Sequence, residues 1–190
     1  MSLNDNGVLG ISMGTSQAAG YVDPNGHINP WLNELAFAPL DYGENAHFDE
    51  WSGDSGCGAQ YFSQQAVARL LPHAGIEVED SMPFPDRLEL LQEQMTKGDD
   101  KAASVYDTIG TYFGYSIAHY ADQFDFRNLF ILGRVTSGEG GELIIEKGRR
   151  LLKDEFPEFA EKIKLQTPNE QDKRHGQAVA AASLPVIEKP

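Results

Sequence analysis

Two glycine-rich stretches hold most of the chemistry that this 190-residue chain can offer. The first, Gly10-Ile11-Ser12-Met13-Gly14-Thr15-Ser16-Gln17, closes an apolar run with a glycine and two hydroxyl residues. A turn of that composition bares backbone N–H groups and small hydroxyls, which suits an anionic oxygen. Hairpins also use Gly-Thr for geometry alone, so the stretch has two readings. The second, Gly133 to Gly141, lies between a hydrophobic run and a helical pattern. Helix N-termini entered through glycines collect anions and admit flat ligands to the backbone, and an unliganded helix cap is the competing reading. Neither is a Walker A loop, since no Gly-Lys-Ser/Thr follows, and neither has the spacing of a dinucleotide fingerprint.

The other reactive residue types form no constellation. There is no Ser–His–Asp arrangement and no histidine pair at metal-ligand spacing. Cys57 stands alone between Gly56 and Gly58, with His47 the one histidine nearby. One cysteine supplies no structural zinc site, which needs four N or S ligands, and a buried idle thiol is the plainer reading of it.

The elements that must position the two loops follow from period and punctuation. Gly7 to Met13 reads as a buried strand and Ala18 to Val22 as a second; Asp23-Pro24-Asn25-Gly26 then makes a hairpin turn into His27-Ile28-Asn29. Glu34 to Ala38 is expected as a short β piece, and residues 41–58 as a loop. Ala59 to Leu71 has helical spacing ended by Pro72, and Asp86 to Lys97 is a short amphipathic helix before Gly98. Asp99 or Asp100 caps a long helix to about Phe124, on which Gly110 and Gly114 mark close packing against a neighbour. Asn128 to Leu132 is a strand, a helix runs from the second glycine stretch to about Glu155, Ile163 to Gln166 is a last strand, and Arg174 to Leu184 a closing alanine-rich helix. This order predicts an α/β layered fold with a mixed sheet.

Composition narrows the partners. With 15 basic against 29 acidic residues the formal charge is −14, which repels phosphate backbones and anionic membranes, and no basic stripe offsets it. Nucleic acid and membrane are therefore excluded as partners of this chain. With 41% hydrophobic residues the chain can bury a core, and a single cysteine suits a reducing, cytoplasmic setting. Met1-Ser2-Leu3 ahead of the first strand is expected to mark a start at a domain boundary.

Taken together, the two loops resemble the second phosphate motif and the adenosine motif of the actin-like ATPase superfamily. Within it the likeness is to the ROK group (repressors, open reading frames, kinases), mostly hexose and amino-sugar kinases. GISMGTSQAAGYVDPNG, NELAF, SGCGAQYFSQQAV, NLFILGRVTSGEGG and GQAVAAASLP carry it, in the family's order over nearly the whole chain. The resemblance implies a ribonuclease H-like (actin-like ATPase) fold, a mixed sheet flanked by helices. It implies one C-terminal domain over residues 1–190, with a helical insert at about 59–98 and the N-terminal lobe absent.

It also implies roles. Gly14, Thr15 and Ser16 would lie against the β/γ-phosphates of ATP, while Gly133, Ser137, Gly138 and Gly141 would border the adenosine. Glu34 falls where the family's Gly-Glu-x-Gly-His segment holds sugar hydroxyls, a task fit for a carboxylate, and an exposed strand-end acid is its other reading. Phe37 stands in place of that segment's His, Ala59 in place of a Glu, and the zinc loop keeps Cys57 alone, so no zinc is expected. The family's catalytic Asp lies upstream of anything here, because Asn4-Asp5 sits too close to the first strand.

The expected function is thus the nucleotide- and sugar-binding half of an ATP- and Mg²⁺-dependent kinase of a hexose-type sugar, inactive by itself. The alternative is a non-catalytic sugar-sensing or regulatory domain. Apolar surface left by the other lobe would favour a homodimer.

Overall fold

Hydrophobic alternation decides which face of the sheet is covered. In the computed structural model, which describes residues 7–28 and 33–167, β1 (Val8–Met13) turns Leu9, Ile11 and Met13 fully inward and leaves Val8, Gly10 and Ser12 half-buried. It pairs antiparallel with β2 (Gln17–Val22) and parallel with β3 (Asn128–Leu132), and β3 pairs parallel with β4 (Lys164–Gln166), giving the order β2-β1-β3-β4. Register sets Leu9 opposite Leu129 and Ile11 opposite Ile131, so one apolar face runs unbroken across the two central strands. Each side chain fully buried there contributes about 1.5–3 kcal/mol.

The crossover from β2 to β3 holds α1 (Gln64–His73), α2 (Phe84–Thr96) and α3 (Asp100–Gln123); that from β3 to β4 holds α4 (Gly138–Glu155) and α5 (Pro157–Lys162). α3 starts where Asp99 Oδ1 accepts the N–H groups of Lys101 at 2.7 Å and Ala102 at 3.3 Å. It lies against α4 through its glycines. A β-carbon at Gly110 would come 2.7 Å from Cβ of Lys147, and one at Gly114 2.9 Å from Cβ of Leu151. Those two positions are small because the neighbouring helix occupies the space a side chain would need. Phe113, Ile117, Ile144 and Leu152 fill the core around this seam.

Three local expectations change. Glu34 to Ala38 is a 3₁₀ turn (Leu35–Phe37), with Phe37 N donating to Glu34 O at 2.9 Å and Ala38 N to Leu35 O at 3.2 Å. Leu35 and Ala36, adjacent in sequence, are both buried, which a strand with one covered face cannot arrange. The helix expected from Ala59 begins at Gln64, because Gly58–Gln60 first makes a 3₁₀ turn and the Ser63 side chain caps α1 by accepting from Gln65 N at 3.0 Å. Pro72 sits inside the last turn of α1 instead of stopping it. α5 is an addition, opened by Pro157 at its first position.

The turn at 23–26 forms as expected: Asp23 Oδ1 accepts from Asn25 N at 2.9 Å and His27 N at 2.8 Å, and Val22 bridges Ile28. Asn29 and the helix expected at 174–184 lie outside the described residues.

Candidate functional site

Because β1 and β3 are parallel neighbours, the loops that follow them emerge side by side at one edge of the sheet. Ser12 pairs with Leu132, so Gly133 comes level with Met13. Gly133 has φ +101, and a β-carbon there would collide with the Met13 backbone. Only glycine lets the two loops touch. The first loop is the hairpin Gly14-Thr15-Ser16, closed by Gly14 N donating to Ser16 O at 2.9 Å, with Thr15 and Ser16 exposed. Gly14 O accepts from Gln64 N at 2.9 Å, which docks the start of α1 on the hairpin.

The second loop is a 3₁₀ turn (Arg134–Thr136) leading into α4. Thr136 Oγ1 and Ser137 Oγ donate to Gly133 O at 3.1 and 3.3 Å, folding the turn on itself. Ser137 is half-buried, Gly138 and Glu139 are exposed, and no side chain caps the start of α4. Gly141 differs from its loop partners. It is buried, with the Thr136 backbone where a β-carbon would go, so it lets the turn close over the helix and presents no surface.

A cavity of about 240 Å³ opens between Ser137–Gly140 and the last turn of α2, lined there by Gln92, Met95 and Thr96. Gln92 Nε2 donates to Arg134 O at 2.9 Å, tying α2 to the loop. Sequence reasoning missed these three residues. They sit on an ordinary amphipathic helix and meet the loop only through folding.

The Glu34 turn arrives at the same end of the sheet. Leu35 O and Gln17 Oε1 both stand where a β-carbon on Gly58 would go, so the 3₁₀ turn packs beside the start of β2, directly after Ser16. Glu34 itself is exposed. Gln17 is buried; its Nε2 donates to the Tyr120 hydroxyl at 3.3 Å, while its Oε1 has no partner among the described residues.

Phe37 rests on buried Ala36, Cys57 and Ala59. Trp51 stacks on it at 5.4 Å between ring centres and 16° between planes.

The loop that presents Trp51 is closed by carboxylates. Asp49 Oδ2 accepts from Ser52 N at 2.9 Å and Oδ1 from Gln60 Nε2 at 2.7 Å. Burial alone would raise the Asp49 carboxyl, but the Ser52 and Gln60 hydrogen bonds outweigh it and hold it below its ordinary range. Asp41 is likewise held low, by the Tyr61 hydroxyl and then the Gly43 N–H. The Tyr61 phenol is pushed up to about 12, by burial first and by Asp41 next.

Burial also raises the Cys57 thiol. Among the described residues no group of three or more His, Cys, Asp or Glu side chains could hold a metal ion. Nor is any helix among them long and apolar enough to cross a membrane.

No protein-family model and no curated protein matches the sequence. Solved structures do match the fold. A ROK family glucokinase from Streptomyces griseus, in complex with glucose and AMPPNP, superposes with TM-score 0.66 at 19% identity, over 87% of this chain and 56% of that one. The ROK hexokinase from Thermus thermophilus gives 0.63 at 19%, over 85% and 51%. A ROK family transcriptional regulator, a homologue of the E. coli MLC protein, gives 0.63 at 18%, over 86% and 41%. The chain therefore has the actin-like ATPase fold of ROK proteins, with a mixed sheet flanked by helices, and spans about half the length of those it matches.

Proposed function

We propose that this chain is the nucleotide- and sugar-binding C-terminal half of a ROK-like, ATP-dependent sugar kinase, folded as one domain with α1 and α2 as its helical insert. The observation that carries the reading is the contact of the two glycine loops at one sheet edge, where Gly133 abuts Met13. Phosphates lie along Gly14, Thr15 and Ser16. Adenosine lies along Gly133, Ser137 and Gly138 in the cavity walled by Met95 and Thr96. Glu34 accepts hydrogen bonds from neighbouring hydroxyls of a hexose-type sugar.

Mg²⁺ neutralises the phosphates in such a transfer. The described residues bring no cluster of carboxylates to the loops, so the ion would be held through ATP and the other lobe. Zinc does not fit: the one thiol is buried against Phe37 and the neighbouring loop is closed by Asp49. Among the described residues no carboxylate hydrogen-bonds to the hairpin, and the base would come from the other lobe, so the chain alone binds and does not transfer. It works in the cytoplasm, where ATP is, and apolar surface that the other lobe would cover suits pairing with a second copy.

The test is calorimetric titration of the chain with ATP-Mg²⁺ and with adenosine. Thr15→Asp, at an exposed position, is expected to weaken ATP at least tenfold while sparing adenosine, whereas Met95→Trp, which fills the cavity, weakens both. Unchanged ATP affinity in both variants would overturn the assignment.

A second reading, a sugar-sensing domain without chemistry, is favoured by Phe37 and the carboxylate-closed loop and accords with a regulator sharing the fold. Thermal stabilisation by a sugar and not by ATP-Mg²⁺ would select it.

A further inference from the structure

A second cavity, of about 420 Å³, opens between α3 and residues 39–42, and it shares no lining residue with the cavity beside Ser137. Tyrosines shape it. Tyr61, buried, meets Tyr112 edge to face at 5.2 Å and 82°, while Tyr42 and Tyr115 stand at the mouth, 78% and 46% exposed.

Three of the four rings are held by their own hydroxyls. Tyr61 donates to Asp41 Oδ2, Tyr115 to both oxygens of Glu155 at 2.9 Å, and Tyr42, more loosely, to Pro39 O at 3.4 Å. The walls are therefore set before any ligand arrives. Asp41 is the one carboxylate among the described lining residues and His119 the one basic side chain. The Tyr61 ring already carries a cation, since the Arg69 guanidinium lies over it at 5.2 Å from the ring centre.

The charge of the walls decides the kind of ligand. Aromatic faces are the negative side of the ring quadrupole, and Asp41 adds a full negative charge. A formal charge of −14 over the whole chain gathers cations and repels anions. Free hydrogen-bonding groups are scarcer than field. Asp41 Oδ1 accepts from Gly43 N at 2.8 Å and Oδ2 from Tyr61, and three phenols have already placed their protons. A primary ammonium, with three donors to satisfy, is poorly served by such walls. A methylated ammonium, whose charge is spread over methyl groups, suits them: aromatic cages take that group by cation–π attraction.

We propose that this cavity binds the methylated ammonium group of a small organic cation, caged by Tyr42, Tyr61, Tyr112 and Tyr115 with Asp41 as counter-charge. Its volume lies within the range of small-molecule sites, which combine aromatic walls with a few placed polar groups. The site is separate from the nucleotide reading and does not depend on it.

The test compares choline with 3,3-dimethylbutan-1-ol, which has the same shape and no charge. The chain, carrying ring-labelled tyrosine, is titrated with each and followed by NMR, with single Tyr→Phe variants assigning the signals. Choline is expected to shift the four cavity tyrosines and to bind at least tenfold more tightly than the alcohol. Asp41→Asn brings that ratio towards one. Tyr115→Leu, at an exposed position, weakens choline about two- to fivefold, the worth of one exposed cation–π contact, and Tyr115→Phe keeps the affinity.

Equal binding of choline and the alcohol would overturn the proposal and leave an apolar hollow. Choline that leaves the four rings unshifted, by not binding or by binding elsewhere, would overturn it too. Neither result touches ATP binding at the glycine loops.

Discussion

Gly133 decides whether there is a site at all. Its left-handed backbone and the Met13 atoms where a β-carbon would lie mean that the two loops meet only over hydrogen. Sequence marks the residue as a turn glycine, but the reason it must be glycine lies on another strand. Asp49 is the opposite case, an acid unremarkable in sequence that proves buried at the centre of a loop. Its folded pKa is depressed, so its contribution is present above the unfolded value of about 3.9 and is lost as pH falls through the folded one. Asp49→Asn is expected to cost about 1.5–3 kcal/mol at pH 7, the worth of hydrogen bonds to a charged group. It should also flatten the stability profile below about pH 4. Urea titrations of both proteins across that range check this, and parallel profiles would refute it.

At the scale of elements, the long helix and its partner show what spacing reveals. Gly110 and Gly114, four apart on α3, predict a close neighbour, and α4 supplies it through Lys147 and Leu151. Gly114→Leu is expected to lose about 1–3 kcal/mol by overpacking, a fall in Tm of roughly 2–4 °C for each kcal/mol. Asp99→Ala at the helix cap should cost about 1 kcal/mol. Calorimetric melts check both, and a Gly114→Leu protein as stable as the parent would deny the tight seam. The strand expected at Glu34–Ala38 failed because β-prone composition cannot tell a strand from a buried 3₁₀ turn when only tertiary contacts cover Leu35 and Ala36 together. α5 went unread for a similar reason, since six residues are too few to show a period.

At the scale of the whole molecule, a formal charge of −14 sets the field in which any anion must bind. Self-repulsion weakens the compact state and repels ATP, and salt screens both over about 10 Å at 0.1 M. Raising salt from about 20 to 300 mM is therefore expected to raise Tm and to tighten ATP binding. Melting curves and titrations measure both, and ATP binding that weakens steadily with salt would point to a locally positive cleft instead.

The sequence alone determined the four strands of the sheet, the long helices and where the two glycine loops fall, because period, caps and turn residues are local properties written in neighbouring positions. Tertiary structure alone decided that the loops share an edge, that α2 walls the second of them and that Trp51 stacks on Phe37. Those facts depend on which strands pair and in which direction, and strand pairing joins residues more than a hundred positions apart.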